Sequence, residues 1–294
     1  MNNIGSSVFR ALVILLVVLF PCRSLWAQTI KGTLYDGKTG EPIPYASIGI
    51  KNKSRGGIAE RTGYYSVNIA GMSPQDSIVF SHIGYVTMAF RLADIDPSKK
   101  MDIRLKPRDQ VLAGVTVTAL RDVLMFGSDK ATSRFTGWGD YSSSRGRARG
   151  IQITPKEYPV KIVSFACRIK HNTFDSVKVR FNILKKVEGE EQLKEVLHQN
   201  IYFDIPHNAK WVTLDLAPYN IILSDTVVIA LEWVDSWAQP KKPGESSDMF
   251  TIALSKEHGY TYERNTPNEL PTLRQSMELP AMYLKGYRVA TADK

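Results

Sequence analysis

Side-chain polarity alternates with a period of two along most of this chain, and that alternation restricts the fold to layered sheets. From Thr29 to about Ala119 the runs TIKGTLYD, ASIGIK, YYSVNI, DSIVFSHIGY, VTMAFRL and MDIRLK are separated by Gly, Pro, Asn, Asp and Ser. That is the spacing of an antiparallel sandwich. Successive residues of a strand face opposite sides, so each run can bury one face and wet the other. No amphipathic segment of helical length interrupts the series. The second half repeats the pattern in PVKIVSFACRI, DSVKVRFNIL, NIYFDI, KWVTLDL, DTVVIALEWV, DMFTIAL and AMYLKGYRV. There Val177, Val179, Phe181 and Ile183 are expected inward, with Lys178, Arg180 and Asn182 in water. A length of 294 residues suits two domains, and 43% hydrophobic residues suffice for two cores.

The stretch DGKTGEPIPYASIGIKN, residues 36–52, carries the densest turn signals. Asp36-Gly37 supplies a tight turn, and Gly37 and Gly40 are free to take positive φ. Pro42 and Pro44 hold the chain extended and withhold two amide donors, as at a sheet edge. Asp36 and Glu41 are expected to cap turns, not to work as a carboxylate pair.

These residues carry a resemblance. IKGTLYDGKTGEPIPYASIGIKNKSRGGIAERTGYYSV resembles the carboxypeptidase-regulatory-like domain of exported Bacteroidetes proteins, through Gly32, Asp36, Gly40, Pro42, Pro44, Ala46, Gly63 and Tyr65. Ala59-Glu60 departs from the family's Thr-Asp, while Ile83-Gly84-Tyr85 matches a later strand. The resemblance implies a seven-stranded, transthyretin-like sandwich over residues 28–119, without peptidase chemistry of its own. The second half looks like the jelly-roll-like sandwich that accompanies such domains. LAGVTVTA (112–119) is similar to the end of these modules before TonB-dependent outer-membrane transporters, which makes docking on such a transporter one reading. The barrel itself needs many more strands than the chain has.

The N-terminus has the form of a secretory signal peptide over residues 1–27. Arg10 precedes the apolar run ALVILLVVLF, which is followed by Pro21 and SLWAQT. Cleavage is expected between Ala27 and Gln28, and Cys22 raises lipidation as an alternative. The apolar run is about half of what a bilayer crossing needs, so no transmembrane span is expected after cleavage. Arg10 and Arg23 are the only charged residues of that segment, so its loss takes the net charge from +9 to +7. Export to the periplasm, the outer membrane or the medium makes nucleic acid an unsuitable partner. An acidic glycan or an envelope protein suits the basic surface. Cys167 then has no disulfide partner, and VSFACRI places it on an inward face as an inert thiol.

Residues 120–142 become rich in Gly, Ser and Arg and read as a linker, with the second sandwich over 143–291. Arg145, Arg147 and Arg149 alternate and would share one exposed strand face. KKVEGEEQLKE (185–195) reads as a solvated connector, not a carboxylate site.

No residue is assigned a catalytic role. The five histidines form no H-E-x-x-H or H-x-x-E motif, and G-x-S-x-G, P-loop, dinucleotide and EF-hand patterns are absent. No metal and no cofactor are expected. Aromatic residues in the second half could stack on sugars. Trp211 and Trp233 sit within strand runs and read as core, and His82 reads as a sheet histidine. Trp237, Tyr260 and Tyr262 flank loops and are the ligand-binding candidates. Two function classes remain: a non-catalytic binding or assembly protein of the cell envelope, and a glycan or peptide hydrolase using Asp215 and Glu232. The second requires both carboxylates in one cleft.

Overall fold

The structure, a computed structural model, describes residues 28–108, 119–138, 145–155, 159–239 and 248–289. The expected signal peptide with Ala27 and Cys22, and the run 112–118, lie outside the described residues. The fold is all-β.

The first sandwich contains β1 (Thr29–Asp36), β2 (Ser47–Ile50), β3 (Gly56–Ile58), β4 (Tyr64–Asn68), β5 (Ser77–Ser81), β6 (Met88–Arg91) and β7 (Ile103–Leu105). One sheet runs β4-β1-β7 and the other β3-β2-β5-β6. The alternation seen in the sequence closes them on one core: Ile30 and Leu34 of β1 meet Ile48, Ile78 and Phe80 of the facing sheet. The 36–41 turn closes through Gly40 N–H donating to the Asp36 carbonyl at 2.9 Å, with Gly40 at φ +75°. Asp36 Oδ1 accepts the N–H groups of Lys38 (2.6 Å) and Thr39 (3.0 Å), and its Oδ2 accepts the Tyr85 hydroxyl at 2.7 Å. Asp36 and Glu41 meet through their backbones (2.8 Å). The motif residues at 36–42 and 83–85 therefore hold loops together.

The second sandwich begins earlier than composition suggests. β8 (Ala119–Gly127) pairs antiparallel with the last strand, and β9 (Phe135–Gly137) pairs within the same layer, so much of 120–142 is sheet and not linker. Leu124 and Phe126 of β8 pack on the core while Val123 and Met125 face out, an alternation hidden by the Gly- and Ser-rich residues that follow. Next come β10 (Ala148–Ile153), β11 (Val160–Asn172), β12 (Ser176–Lys185), β13 (Lys194–Glu195), β14 (Ile201–Pro206), β15 (Trp211–Asp215) and β16 (Ile222–Leu223). The chain ends with β17 (Val227–Trp237), β18 (Phe250–Ser255), β19 (Gly259–Arg264), β20 (Thr272–Ser276), β21 (Leu279–Pro280) and β22 (Met282–Val289). One layer runs β13-β12-β17-β10-β19-β20 with β14 beside β12. The other runs β21-β18-β11-β22-β8, with β15 and β16 on β11 and β9 on β18. Val177, Val179, Phe181 and Ile183 enter the core between the layers, as their spacing requires. Trp138 stacks on Phe250 at 4.7 Å and meets Trp233 edge-on at 6.5 Å, closing one end of that core. Cys167 is buried and free, and burial pushes its thiol up to about 12.

The alternating arginines form no exposed face. Arg145 donates to the carbonyls of Val234 (3.0 Å) and Ala59 (3.3 Å), and Arg147 to that of Trp138 (2.7 Å). Arg149 is buried and bonds Asn265 Oδ1 at 3.2 Å. A guanidinium presents five fixed donors, and here they serve carbonyl oxygens that close loops.

Candidate functional site

Lys178, Arg180 and Asn182 do turn away from the second core, but water is not what Arg180 and Asn182 meet. Both are buried, because the first sandwich lies over this outer face of the β12–β17 layer. The approach is close enough to demand a glycine. A Cβ on Gly49 of β2 would stand 2.2 Å from the Pro267 carbonyl oxygen of the β19–β20 loop. Beside it, Asn52 N–H donates to the Asn268 carbonyl (2.9 Å), and Ser54 bonds Glu269 (2.5 Å). Tyr45, Ile58 and Val234 form a small apolar cluster across the junction, and Tyr202 packs on Tyr45 with ring centroids 5.6 Å apart.

Between the sandwiches lies a cleft of about 570 Å3, within the size range of small-ligand sites. Its floor is an ion triplet on β12, β17 and β19, the last two separated by β10. Arg180 Nε bonds Glu232 Oε2 at 2.7 Å, Arg180 Nη2 reaches the same oxygen, and Arg264 Nη2 bonds Oε1 at 2.6 Å. The register explains the meeting: Arg180 on β12 is opposite Glu232 on β17, and both Glu232 and Arg264 are opposite Ala148 on β10. Burial pushes the fully buried Glu232 carboxyl up, but Arg180 and then Arg264 outweigh it, and the net direction is down. Arg180 also donates to Ser47 Oγ of the first sandwich (2.9 Å) and to Asn200 Oδ1 (3.1 Å), so the triplet joins the two domains.

The walls add further titratable groups, His82 and Glu195 among them. His82, just past β5, is no sheet histidine: its Nε2 faces Asn200 Nδ2 at 3.2 Å and the Tyr202 hydroxyl at 3.5 Å. Burial, reinforced by Arg180, lowers it to about 4. Glu195 is the last residue of the connector 185–195 expected to be solvated; it lies in the cleft wall instead, and its Oε1 accepts the N–H groups of Ile183 (3.1 Å) and Leu197 (3.4 Å). Burial raises its carboxyl to about 7, against the pull of Arg180 and of those donors. The charge density of 185–195 hides Glu195 as a site residue, because nothing local announces the Ile183 and Leu197 N–H groups that hold it. Arg180 is hidden as well, because its spacing is that of a wetted residue.

The aromatic candidates do not converge. Tyr262 lies under the cleft, 2% exposed, packed on Leu184 and Ala230. Tyr260 is 43% exposed on the same strand, and Trp237 is 41% exposed at the end of β17. Thr261 is level with Ile229, and Trp237 lies eight positions further along, so Trp237 and Tyr260 stand roughly 25 Å apart. Trp237 instead lines a separate hollow of about 500 Å3 with Tyr45, Arg61 and Lys178. Trp233 is core, but Trp211 is 40% exposed on the outer face of the other layer, because β15 turns its odd residues to solvent.

Asp215 stands exposed on that other layer and caps the Ala217 N–H at 3.0 Å, so it shares no cleft with Glu232. The carboxylates that do share one are Glu195, Glu232 and, at the edge formed by the β19–β20 loop, Glu269. Both oxygens of Glu232 are held by guanidiniums out of reach of solvent, which suits a structural anchor and not proton transfer. Among the described residues no cluster of His, Cys, Asp or Glu is arranged to hold a metal, and no helix is long and apolar enough to cross a membrane.

No curated protein matches the chain. A family profile does match its first sandwich, over residues 30–117, and its description is the CarboxypepD_reg-like domain. Gly40, the Asp36 turn and Tyr85 stand within that span in the roles described above. Residues 30–117 are thus similar to the CarboxypepD_reg-like domain, and the sandwich they form is seated on a second β-sandwich.

Proposed function

We propose that this is an exported, non-catalytic protein of the cell envelope that binds a glycan or a protein partner through the cleft between its sandwiches. The single observation that carries the reading is the cleft itself. It is walled by both domains, and its polar floor is fixed in place by the Arg180–Glu232–Arg264 triplet. A floor whose charges already satisfy one another adds little net charge and leaves ligand contact to polar wall groups such as Ser81, His82 and Gln192, which suits a polar, hydroxyl-rich or peptide ligand. The regulatory-like domain forms one wall and orders the site without supplying chemistry. Export rests on Arg10, the apolar run 11–20 and the Ala27–Gln28 boundary.

Glycan arrays and pull-downs from envelope extracts test the binding role, with wild type compared with a Gln192→Ala/Glu195→Ala variant of the cleft wall. Retention of a ligand by wild type and its loss in the variant is the expected result. Silence in both assays, or equal capture by the variant, removes the cleft from the function. Cell fractionation with N-terminal sequencing tests export: a chain starting at Gln28 in the envelope fraction is expected, and an unprocessed cytoplasmic chain refutes it.

A further inference from the structure

The open face of the β11–β22 layer, on the far side of the second sandwich from the cleft, carries rings and cations together. The outward residues are set by register. Trp211 lies opposite Arg168, Thr213 opposite Ala166 and then Tyr283, and Asp215 opposite Ser164 and then Lys285. Lys161 stands beside Tyr287, with Val123 beyond it on β8. Ala166 is small, so the rings of Trp211 and Tyr283 lean together over it at 5.6 Å, tilted by 51°. Lys285 Nζ sits 5.5 Å from the Tyr283 ring. Lys161, Arg168 and Lys285 form no ion pair among the described residues, and Arg168 Nη1, covered from solvent, has no hydrogen-bond acceptor. Exposed Val123 and Met125 continue the apolar surface to the sheet edge.

We infer that this face binds an acidic polysaccharide: the Trp211–Tyr283 pair and Tyr287 stack on sugar rings, while Lys161, Arg168 and Lys285 receive the carboxylates. Each unit of such a polymer offers an apolar ring face and one negative charge, and the sheet offers the counterpart of both at neighbouring positions. Lys161 and Lys285, half-buried and without an ion pair, with the Arg168 guanidinium beside them, also favour a polyanion over a neutral glycan. Asp215 on the same face argues for a polymer with hydroxyls between its charges, since a phosphodiester at every unit would press against that carboxylate. The tilted ring pair forms a shallow V, which suits a sugar lying across it better than a base sliding between parallel rings. The site shares no residue with the cleft, so it stands or falls apart from the reading above.

The test is isothermal titration of the full chain with polygalacturonate, dextran, oligo-dT and anionic phosphatidylglycerol vesicles, at about 50 and about 300 mM salt, spanning Debye lengths from roughly 14 to 6 Å. Polygalacturonate is expected to bind, with dextran weaker and affinity falling as salt rises. Trp211→Ala should weaken binding about tenfold, the loss of one stacked ring. Lys285→Gln/Lys161→Gln, which leaves the rings and the core intact, should flatten the salt dependence. The charge-matched Lys38→Gln/Lys99→Gln on the first sandwich should bind as wild type. Equal binding by the Lys285→Gln/Lys161→Gln variant, preference for oligo-dT or vesicles over polygalacturonate, or no binding to polygalacturonate overturns the inference.

Discussion

Two groups in the domain junction oppose one another in pH dependence, and separating them tests the electrostatics of the whole cleft. His82 is lowered from 6.5 to about 4 by burial and by Arg180, and Glu195 is raised from 4.5 to about 7 by burial. His82 is faced by Arg180, Asn200, Tyr202 and, within its own domain, Tyr85. Between pH 4.5 and 6.5 the unfolded chain protonates His82 and the folded chain does not. Stability from this group is therefore present above 6.5 and lost as pH falls through 4. For Glu195 the folded chain holds the proton and the unfolded chain does not, so its contribution is present below 4.5 and lost as pH rises through 7. Each shift is worth roughly 3 kcal/mol in full, at about 1.4 kcal/mol per pH unit. In that window the two slopes cancel, and the pair adds no net pH dependence to wild type. His82→Asn should leave the Glu195 slope alone, so that this variant gains about 2–3 kcal/mol relative to wild type on going from pH 6.5 to 4.5. Glu195→Gln should leave the His82 slope and lose a similar amount over the same step. Urea unfolding of all three proteins at both pH values, followed by circular dichroism, reads the differences. Parallel profiles for the three proteins would refute the burial of both groups and their placement around Arg180.

Three further outcomes follow from the same geometry. Glu232→Gln strands two buried guanidiniums and should cost about 3–5 kcal/mol, with the calorimetric transition of the second sandwich falling by roughly 6–20 °C; a loss under about 1 kcal/mol would show that the triplet is not a buried ion network. Gly49→Ala forces a Cβ against the Pro267 carbonyl and should part the sandwiches, raising the radius of gyration in small-angle scattering while circular dichroism stays β; an unchanged radius contradicts the close approach. Tyr85→Phe removes the largest influence holding the Asp36 carboxyl below its ordinary value, so the Asp36 titration followed by NMR should move upward, and a static midpoint would deny the 2.7 Å bond.

Legibility in this chain follows the range of the interaction. Val177, Val179, Phe181 and Ile183 were placed inward from spacing alone because strand periodicity is local: a side chain's face is set two residues away. What covers the opposite face is set by residues more than a hundred positions distant. Arg180 and Asn182 carry the pattern of wetted residues, and nothing nearby announces that Ser47 and the first sandwich will lie on them. The same reasoning separates Tyr260 from Tyr262. They share one face of β19, and the junction reaches only the second. Trp211 illustrates the converse, since a tryptophan in a strand reads as core, yet β15 turns it outward where rings meet solvent. β8 is hidden for a different reason: composition averages the alternation of Val123 to Phe126 with the turn residues beyond it.

One long-range feature did leave a local trace. Glu232 interrupts VVIALEWV, a run apolar on both faces, and a carboxylate there is tolerable only with guanidinium partners. Those partners had to come from strands of the same layer, and Arg180 on the adjacent β12 and Arg264 on β19, one strand further, are arginines at the matching register. The buried acid could thus be deduced to need a basic clamp before any fold was known. That the clamp also reaches Ser47, and so makes the floor of a cleft between two domains, follows from how the sandwiches dock.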